Sequence, residues 1–257
     1  MSSSASEHNI QSLDRAFDII ENLSENNNDG LPLAQLCANT GLNKSTVHRM
    51  LASLKNRGYV VQTASGNYRL TFKFCSLSQR LINNTGRVSL FLPHVKRLCN
   101  DTQEIVHLVI QDGDDTVYLD REEPANPTIR TVVNVGMRRP MHTSATGKSI
   151  LSIQDPAVWA AYWEKAPKEQ ITPYTIMDFP RLQEELERAR RMEYAIDNEE
   201  NTLGIRCIAV PLFDRYNKNY YAISISAAKS RMTDERIQTL LPLLFATRDQ
   251  IITDIGL

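Results

Sequence analysis

The chain has 257 residues, 42% of them hydrophobic, and a formal net charge of -1. That length suffices for two domains with cores of their own, although length alone also allows one. No run approaches the roughly 20 apolar residues of a membrane span, and the opening MSSSASEHN lacks the basic and apolar regions of a secretion signal, so a cytoplasmic protein is expected.

Net charge conceals a split. Residues 1–100 carry 11 basic and 6 acidic side chains, whereas residues 101–257 carry 18 and 24. Between Gly30 and Asn100 there are ten Lys and Arg and not one Asp or Glu. A compact basic module suits duplex DNA, whose phosphates supply most of the affinity and whose major groove admits one helix.

The first predicted helix, from Ile10 to Glu25, places Leu13, Ala16, Phe17, Ile20 and Leu23 on one face and most of its acids on the other. After a break at Asn26–Gly30, a short second helix buries Leu33, Leu36 and Cys37 and stops at Thr40-Gly41, where glycine permits a left-handed turn. Asn43 or Ser45 caps a third helix whose inward face is Val47, Met50, Leu51 and Leu54. Lys44, Ser45, Thr46, His48, Arg49 and Ser53 then form the surface offered to DNA, together with Asn43. A hairpin wing follows, with alternating Tyr59, Val61 and Thr63, a Ser-Gly-Asn turn, and Tyr68 and Leu70 returning. Arg57 and Arg69 flank it as clamps for backbone phosphates.

Residues 73–98 read as joining helices. Phe72, Phe74, Leu77, Leu81 and Ile82 anchor the first, a break falls near Asn83–Gly86, and Val88, Leu92, Val95 and Leu98 continue at helical spacing. Packing within the domain and packing across a two-fold axis to a second copy both account for that stripe.

From Asp101 onward, strands alternate with helices. IVHLVIQDG and DTVYLDREE meet at an Asp112-Gly113-Asp114 turn, TIRTVVNVG is read as a further strand ending at Gly136, and helices are expected over 144–152, 155–164, 181–192 and 232–252. RCIAVPLFD and YYAISISAA pair around the Asp214–Asn219 loop, giving an α+β sheet with helices over it. His142, Thr143, Ser144 and Thr146 crowd the start of the helix carrying Gly147 and Lys148, and such an N-terminus suits a carboxylate. Ser224 and Ser226 share a strand face, where they are satisfied either by a ligand or by neighbouring backbone, and Asp197 and Cys207 are candidates for the same cavity. Arg130, Arg138, Arg139 and Arg206 are possible charge partners for an acid. Lys148 follows Gly147 without the glycine spacing of a P-loop, which argues against a nucleotide. The four cysteines lack paired spacing and the five histidines do not cluster, so reduced thiols, no metal and no cofactor are expected.

Three motifs in order carry a resemblance. GLNKSTVHRMLASLKNRGYV with GNYRL, GMRRPMHTSATGKSILS, and YAIDNEENTLGIRCIAVPLFD with AISIS together resemble the IclR family of bacterial transcriptional regulators over about residues 10–255. The resemblance implies a winged helix-turn-helix DNA-binding domain (10–72), linker helices (73–98) and a GAF-like domain for effector binding and oligomerisation (99–257). It implies a homodimer or dimer of dimers on double-stranded operator DNA, answering to a small organic acid. Its effector contacts fall on Met141, Ala145, Thr146, Asp197, Cys207, Ser224 and Ser226 of this chain. Overall similarity points towards regulators of sugar-acid catabolism, including those for ketogluconate and ketogulonate-type compounds. One departure is Glu193, where the family commonly has Gly, and a backbone that wants positive φ is strained there.

The expected function is therefore a repressor whose operator affinity changes with a bound keto or sugar acid. The alternative is an enzyme processing small carboxylates, fused to a DNA-binding module. Against it, His142 has no carboxylate close in sequence and Cys207 is not in a glycine-rich nucleophile loop.

Overall fold

The computed structural model describes residues 10–26, 29–84, 88–126 and 133–257. The chain divides into two compact units, Met1–Thr85 and Gly86–Leu257.

In the first unit, α1 (Gln11–Glu25), α2 (Leu33–Thr40) and α3 (Lys44–Asn56) precede a two-stranded antiparallel wing, β1 (Val60–Gln62) and β2 (Tyr68–Leu70), and α4 (Lys73–Asn84). One core holds it together: Ile19, Leu23, Leu31, Leu36, Val47, Leu51, Val60 and Tyr68, with Leu33, Cys37, Leu42, Met50 and Leu54 at its edge. Gly41 adopts φ 67° between α2 and α3, in open space, so its role is conformational. Gly30, also at positive φ, lies so close to β2 that a Cβ would sit 2.6 Å from the Tyr68 carbonyl oxygen. That approach lets Leu31 bridge to Tyr68 through both backbone bonds, at 2.9 and 2.8 Å.

Three sequence expectations change here. The wing turns Val60, not Val61, into the core, with Tyr59 and Thr63 only partly covered. On α1 the buried residues are Ile19 and Leu23, while Leu13 and Phe17 are exposed, because the core reaches only the C-terminal half of that helix. Phe72, just before α4, and Leu77 and Leu81 on it are exposed, and of the predicted anchors Phe74 finds an aromatic neighbour, Tyr59, at 5.2 Å between ring centroids.

The second unit begins with α5 (Val88–Thr102) and builds a six-stranded antiparallel sheet. Its strands are β3 (Ile105–Asp112), β4 (Asp115–Glu122), β5 (Arg138–Pro140), β6 (Ala195–Asn198), β7 (Ile205–Asp214) and β8 (Asn219–Ala228), in the order β5-β4-β3-β8-β7-β6. Between β5 and β6 the chain forms α6 (Ala145–Ser152), α7 (Pro156–Lys165) and α8 (Phe179–Met192); α9 (Asp234–Ile255) ends it. Helices α5 and α9 pack together and on the sheet, and α6 packs on β6, β7 and β8 with α8 behind it. The predicted strand over 128–136 falls largely outside the described residues. Its described end, Val133–Gly136, is loop and turn, and the strand is β5, which leaves Gly136 at φ 87° free to turn the chain.

At the end of α8, Glu193 sits at φ 61°, the left-handed position that glycine usually takes. Its carboxylate accepts from Arg248 Nη1 at 3.0 Å, a contact glycine could not make.

Candidate functional site

Two surfaces carry chemistry, one in each unit. On α3, Asn43 is the cap: its side-chain oxygen accepts from Thr46 N at 2.9 Å and from the Ser45 hydroxyl at 2.8 Å. Lys44, Ser45, His48, Arg49 and Ser53 are exposed and Thr46 half-buried, while Val47 and Leu51 on the opposite side are fully buried. Arg57, at the end of the helix, and Arg69, on the wing, are exposed too. The structure thus sets a capped helix start and a row of polar and basic side chains on the outside of a packed unit.

The second surface is a cavity of about 350 Å³ between the sheet and the start of α6. Register explains its floor. Asp197 on β6 is paired with Cys207 on β7, and Cys207 with Ser226 on β8, so the three lie abreast. Ser224, two residues earlier, is paired with His107 on β3. All five line the cavity, and Ser226 Oγ lies 3.3 Å from His107 Nδ1. Above them stand Ser144, Ala145 and Thr146. Ser144 caps α6 by accepting from Gly147 N at 3.1 Å, and its hydroxyl is 3.2 Å from that of Thr146. Gly147 is there for space: a Cβ would lie 2.1 Å from the Met141 carbonyl oxygen.

Of the seven predicted effector residues the structure brings six to this cavity. Met141 does not line it: it is fully buried in the adjoining core, with its backbone close against Gly147. Among the arginines named from sequence, Arg139 lines the cavity. Arg138 turns to Asp112 and Asp115, and Arg206 to the Met232 carbonyl and Asp234. Arg130 lies outside the described residues. Tyr118, His107 and the Asn201–Leu203 loop also line the cavity, and sequence reasoning missed them. A histidine amid IVHLVIQ was a signal that a polar group enters an apolar strand, but its target depended on strand pairing.

Electrostatically the lining is mixed. Burial, then the charge of Arg121, holds the His107 imidazole down to about 3, so it is neutral at physiological pH. Burial pushes the Tyr118 phenol and the Cys207 thiol well up, so both stay protonated. Asp197 is also pushed up, first by burial and then by the charge of Glu200, with Lys148 opposing. His107 Nε2, Arg139 Nε and Asn201 Oδ1 are buried atoms with no hydrogen-bond partner among the described residues. Such orphans are the polar handles by which an oxygen-rich ligand is held.

His142 lies outside this cavity, although its Nε2 too is buried with no hydrogen-bond partner among the described residues. Its backbone N–H donates to the Tyr162 hydroxyl at 3.0 Å, and its Nδ1 lies 2.6 Å from the same oxygen. Burial and the charges of Lys168 and Lys148 depress it to about 4. Among the described residues no three His, Cys, Asp or Glu converge as a metal site, and no helix is long and apolar enough to cross a membrane.

Comparison with known proteins covers nearly the whole chain. Residues 12–64 match the IclR helix-turn-helix domain, and residues 79–253 match the C-terminal domain of bacterial IclR transcriptional regulators. The chain is 37% identical over 249 residues to the DNA-binding transcriptional repressor YiaJ of Escherichia coli K12, spanning 96% of this chain and 88% of that one. It is 31% identical over 248 residues to the transcriptional regulator KdgR of the same organism, covering 96% and 93%. The crystal structure of the Thermotoga maritima IclR superposes with a TM-score of 0.82 at 26% identity, over 97% of this chain and all of that one.

Proposed function

This chain belongs to the IclR family of bacterial transcriptional regulators, and from that membership we propose a repressor of sugar-acid or keto-acid catabolism that releases or tightens on its operator when such an acid fills the cavity. That it is a sequence-specific DNA-binding regulator, and not an enzyme, follows from the family itself. The finer reading rests on one observation. A cation, Arg139, and a capped helix start line the same cavity as a strip of hydroxyl, imidazole and carboxyl groups, an arrangement suited to a small polar acid.

In this reading residues 10–72 bind DNA, 73–98 link and 99–257 form a GAF-like effector domain. Asn43, Lys44, Ser45, Thr46, His48, Arg49 and Ser53 face the groove, with Arg57 and Arg69 on phosphates. Ala145, Thr146, Asp197, Cys207, Ser224 and Ser226 hold the effector, and Met141 shapes the wall. The protein acts in the cytoplasm as a homodimer or dimer of dimers; exposed Leu13, Phe17, Phe72, Leu77 and Leu81 supply apolar surface for a second copy. Ligand shifts DNA affinity only by binding the two DNA-related conformations unequally.

The test is fluorescence anisotropy at fixed salt, with DNA from upstream of its own gene and of neighbouring catabolic genes, with and without a panel of keto and sugar acids. Selective binding altered by one acid supports the reading. Uniform binding to every fragment, indifferent to all the acids, overturns it.

A further inference from the structure

Behind the cavity lies a charge cluster that neither DNA contact nor ligand shape explains. Lys148, in the first turns of α6, is wholly buried. Its ammonium is ion-paired with Glu200 and lies 3.9 Å from Glu185 of α8. Glu200 is itself buried, and its backbone N–H donates to Asp197 Oδ1 at 2.8 Å. Asp197 is buried as well, and it alone of the three reaches the cavity.

Two buried carboxylates thus share one buried cation. Ionising both leaves an uncompensated negative charge out of water, which the protein relieves by keeping a proton. Contact decides which acid keeps its charge: Glu200 touches the ammonium, and Asp197 does not. We propose that Asp197 meets the ligand as a neutral carboxylic acid donating its O–H to a ligand oxygen, with Lys148 acting as a positioning residue that confines the negative charge to Glu200. The proposal rests on reading the cavity as the effector site. The backbone N–H of Glu200 donates to Oδ1 and that of Asn201 also donates to this carboxyl, and the proposed proton sits on the same group beside them.

Burial and the charge of Glu200 favour the neutral acid, against Lys148 and the backbone N–H groups of Glu200 and Asn201, which favour the ionised one. Among the described residues, the strands line the cavity with no positive charge beyond Arg139. From β3 comes the neutral imidazole of His107, from β4 the phenol of Tyr118 and from β7 the thiol of Cys207, none of them charged at neutral pH. From β5, Arg139 faces the same cavity and attracts an anion. From α8, Glu185 raises and Arg181 lowers the proton affinity of Glu200, in opposition. Burial raises both Asp197 and Glu200 above the ordinary carboxyl range; the charge of Glu200 adds to this at Asp197 and that of Glu185 at Glu200, with Lys148 opposing at both.

Specificity follows. A neutral acid beside Arg139 accepts carboxylate and keto oxygens, whereas an ionised Asp197 would favour an amine and repel an organic acid.

Isotope-edited infrared absorption tests this without any ligand, on full-length protein labelled with aspartate carrying carbon-13 in its side-chain carboxyl. At about pH 6, where an ordinary Asp of pKa near 3.9 is almost fully ionised, the wild type is expected to show a protonated-carboxyl band that Asp197→Asn lacks. The difference removes any contribution from Asp120, whose proton affinity is raised by burial. In Glu200→Gln, Lys148 is freed for Asp197, and the band should disappear at the same pH. Wild-type protein labelled instead on glutamate needs no substitution and should show no protonated band. A missing aspartate band, a band that survives in folded Glu200→Gln, or a protonated glutamate would each overturn the proposal. Such a result would leave the acid-responsive regulator standing, because that reading is judged by DNA anisotropy alone.

Discussion

Helices α3 and α6 begin in the same way and face different worlds. Each opens on a short polar cap that accepts the N–H three residues on, from Asn43 to Thr46 and from Ser144 to Gly147. Around the start of α3, Asn43, Lys44, Ser45, His48 and Arg49 are exposed. Around α6, every residue from Ala145 to Ser152 is buried. The local chemistry, free amides and hydroxyls at a positive helix end, is shared. What differs is enclosure: an open start suits a long polyanion, and a closed one suits a small anion that must be desolvated.

The sharpest way to break the comparison is glycine. Gly147→Ala drives a methyl into the Met141 backbone, and urea unfolding should show a loss of about 3 kcal/mol or more, or no folded second unit. Gly41→Ala meets open space and suffers only its positive φ, so about 1 kcal/mol is expected.

Next comes the open helix. Lys44→Ala with Arg49→Ala should weaken DNA binding at least tenfold and reduce the slope of log affinity against log salt by about 1 for each phosphate no longer neutralised. An unchanged slope would remove these residues from the phosphate interface. Arg139→Leu should have the reverse signature, keeping ligand-free operator affinity and losing the response to acids.

The closed site also predicts a pH effect whose sign is fixed. The folded pKa of Asp197 is raised above its unfolded value, so its contribution to stability is full below about pH 4 and is lost as pH rises through the folded pKa. Between those limits wild type should lose urea stability relative to Asp197→Asn, by about 1.4 kcal/mol for each pH unit climbed. A stability difference that stays flat with pH would refute the assignment. The smallest effect is at the caps. Asn43→Ala should cost about 1 kcal/mol, and Ser144→Ala somewhat more, because it also strips Thr146 of a buried hydroxyl partner.

Much of this molecule was legible in one dimension. Helix faces on α3 and α8, the turn at Gly41, the strand pairs β3–β4 and β7–β8, and the left-handed stress at Glu193 all follow from spacing and backbone preference. Short elements were not. The wing strands have three residues each and β6 has four, too few for a period-2 pattern to set its own phase. That is why Val60 rather than Val61 faces inward, and why β5 had no sequence signal. The candidate site was half legible. Ser224 and Ser226 share a face by strand geometry alone, but His107 joins them only because β3 pairs with β8.

By itself the sequence determined a basic, capped helix within the acid-free stretch from Gly30 to Asn100, an acidic sheet-and-helix remainder, and the residue types gathered in three motifs. These are local properties, decided by charge, periodicity and backbone preference. Tertiary structure decided that Asp197, Cys207 and Ser226 lie abreast, that Arg139 and not Arg138 or Arg206 faces them, and that Lys148 is buried against Glu200. Those outcomes depend on pairing register and on which groups lose water together, and residues 52 positions apart in the chain carry no local trace of either.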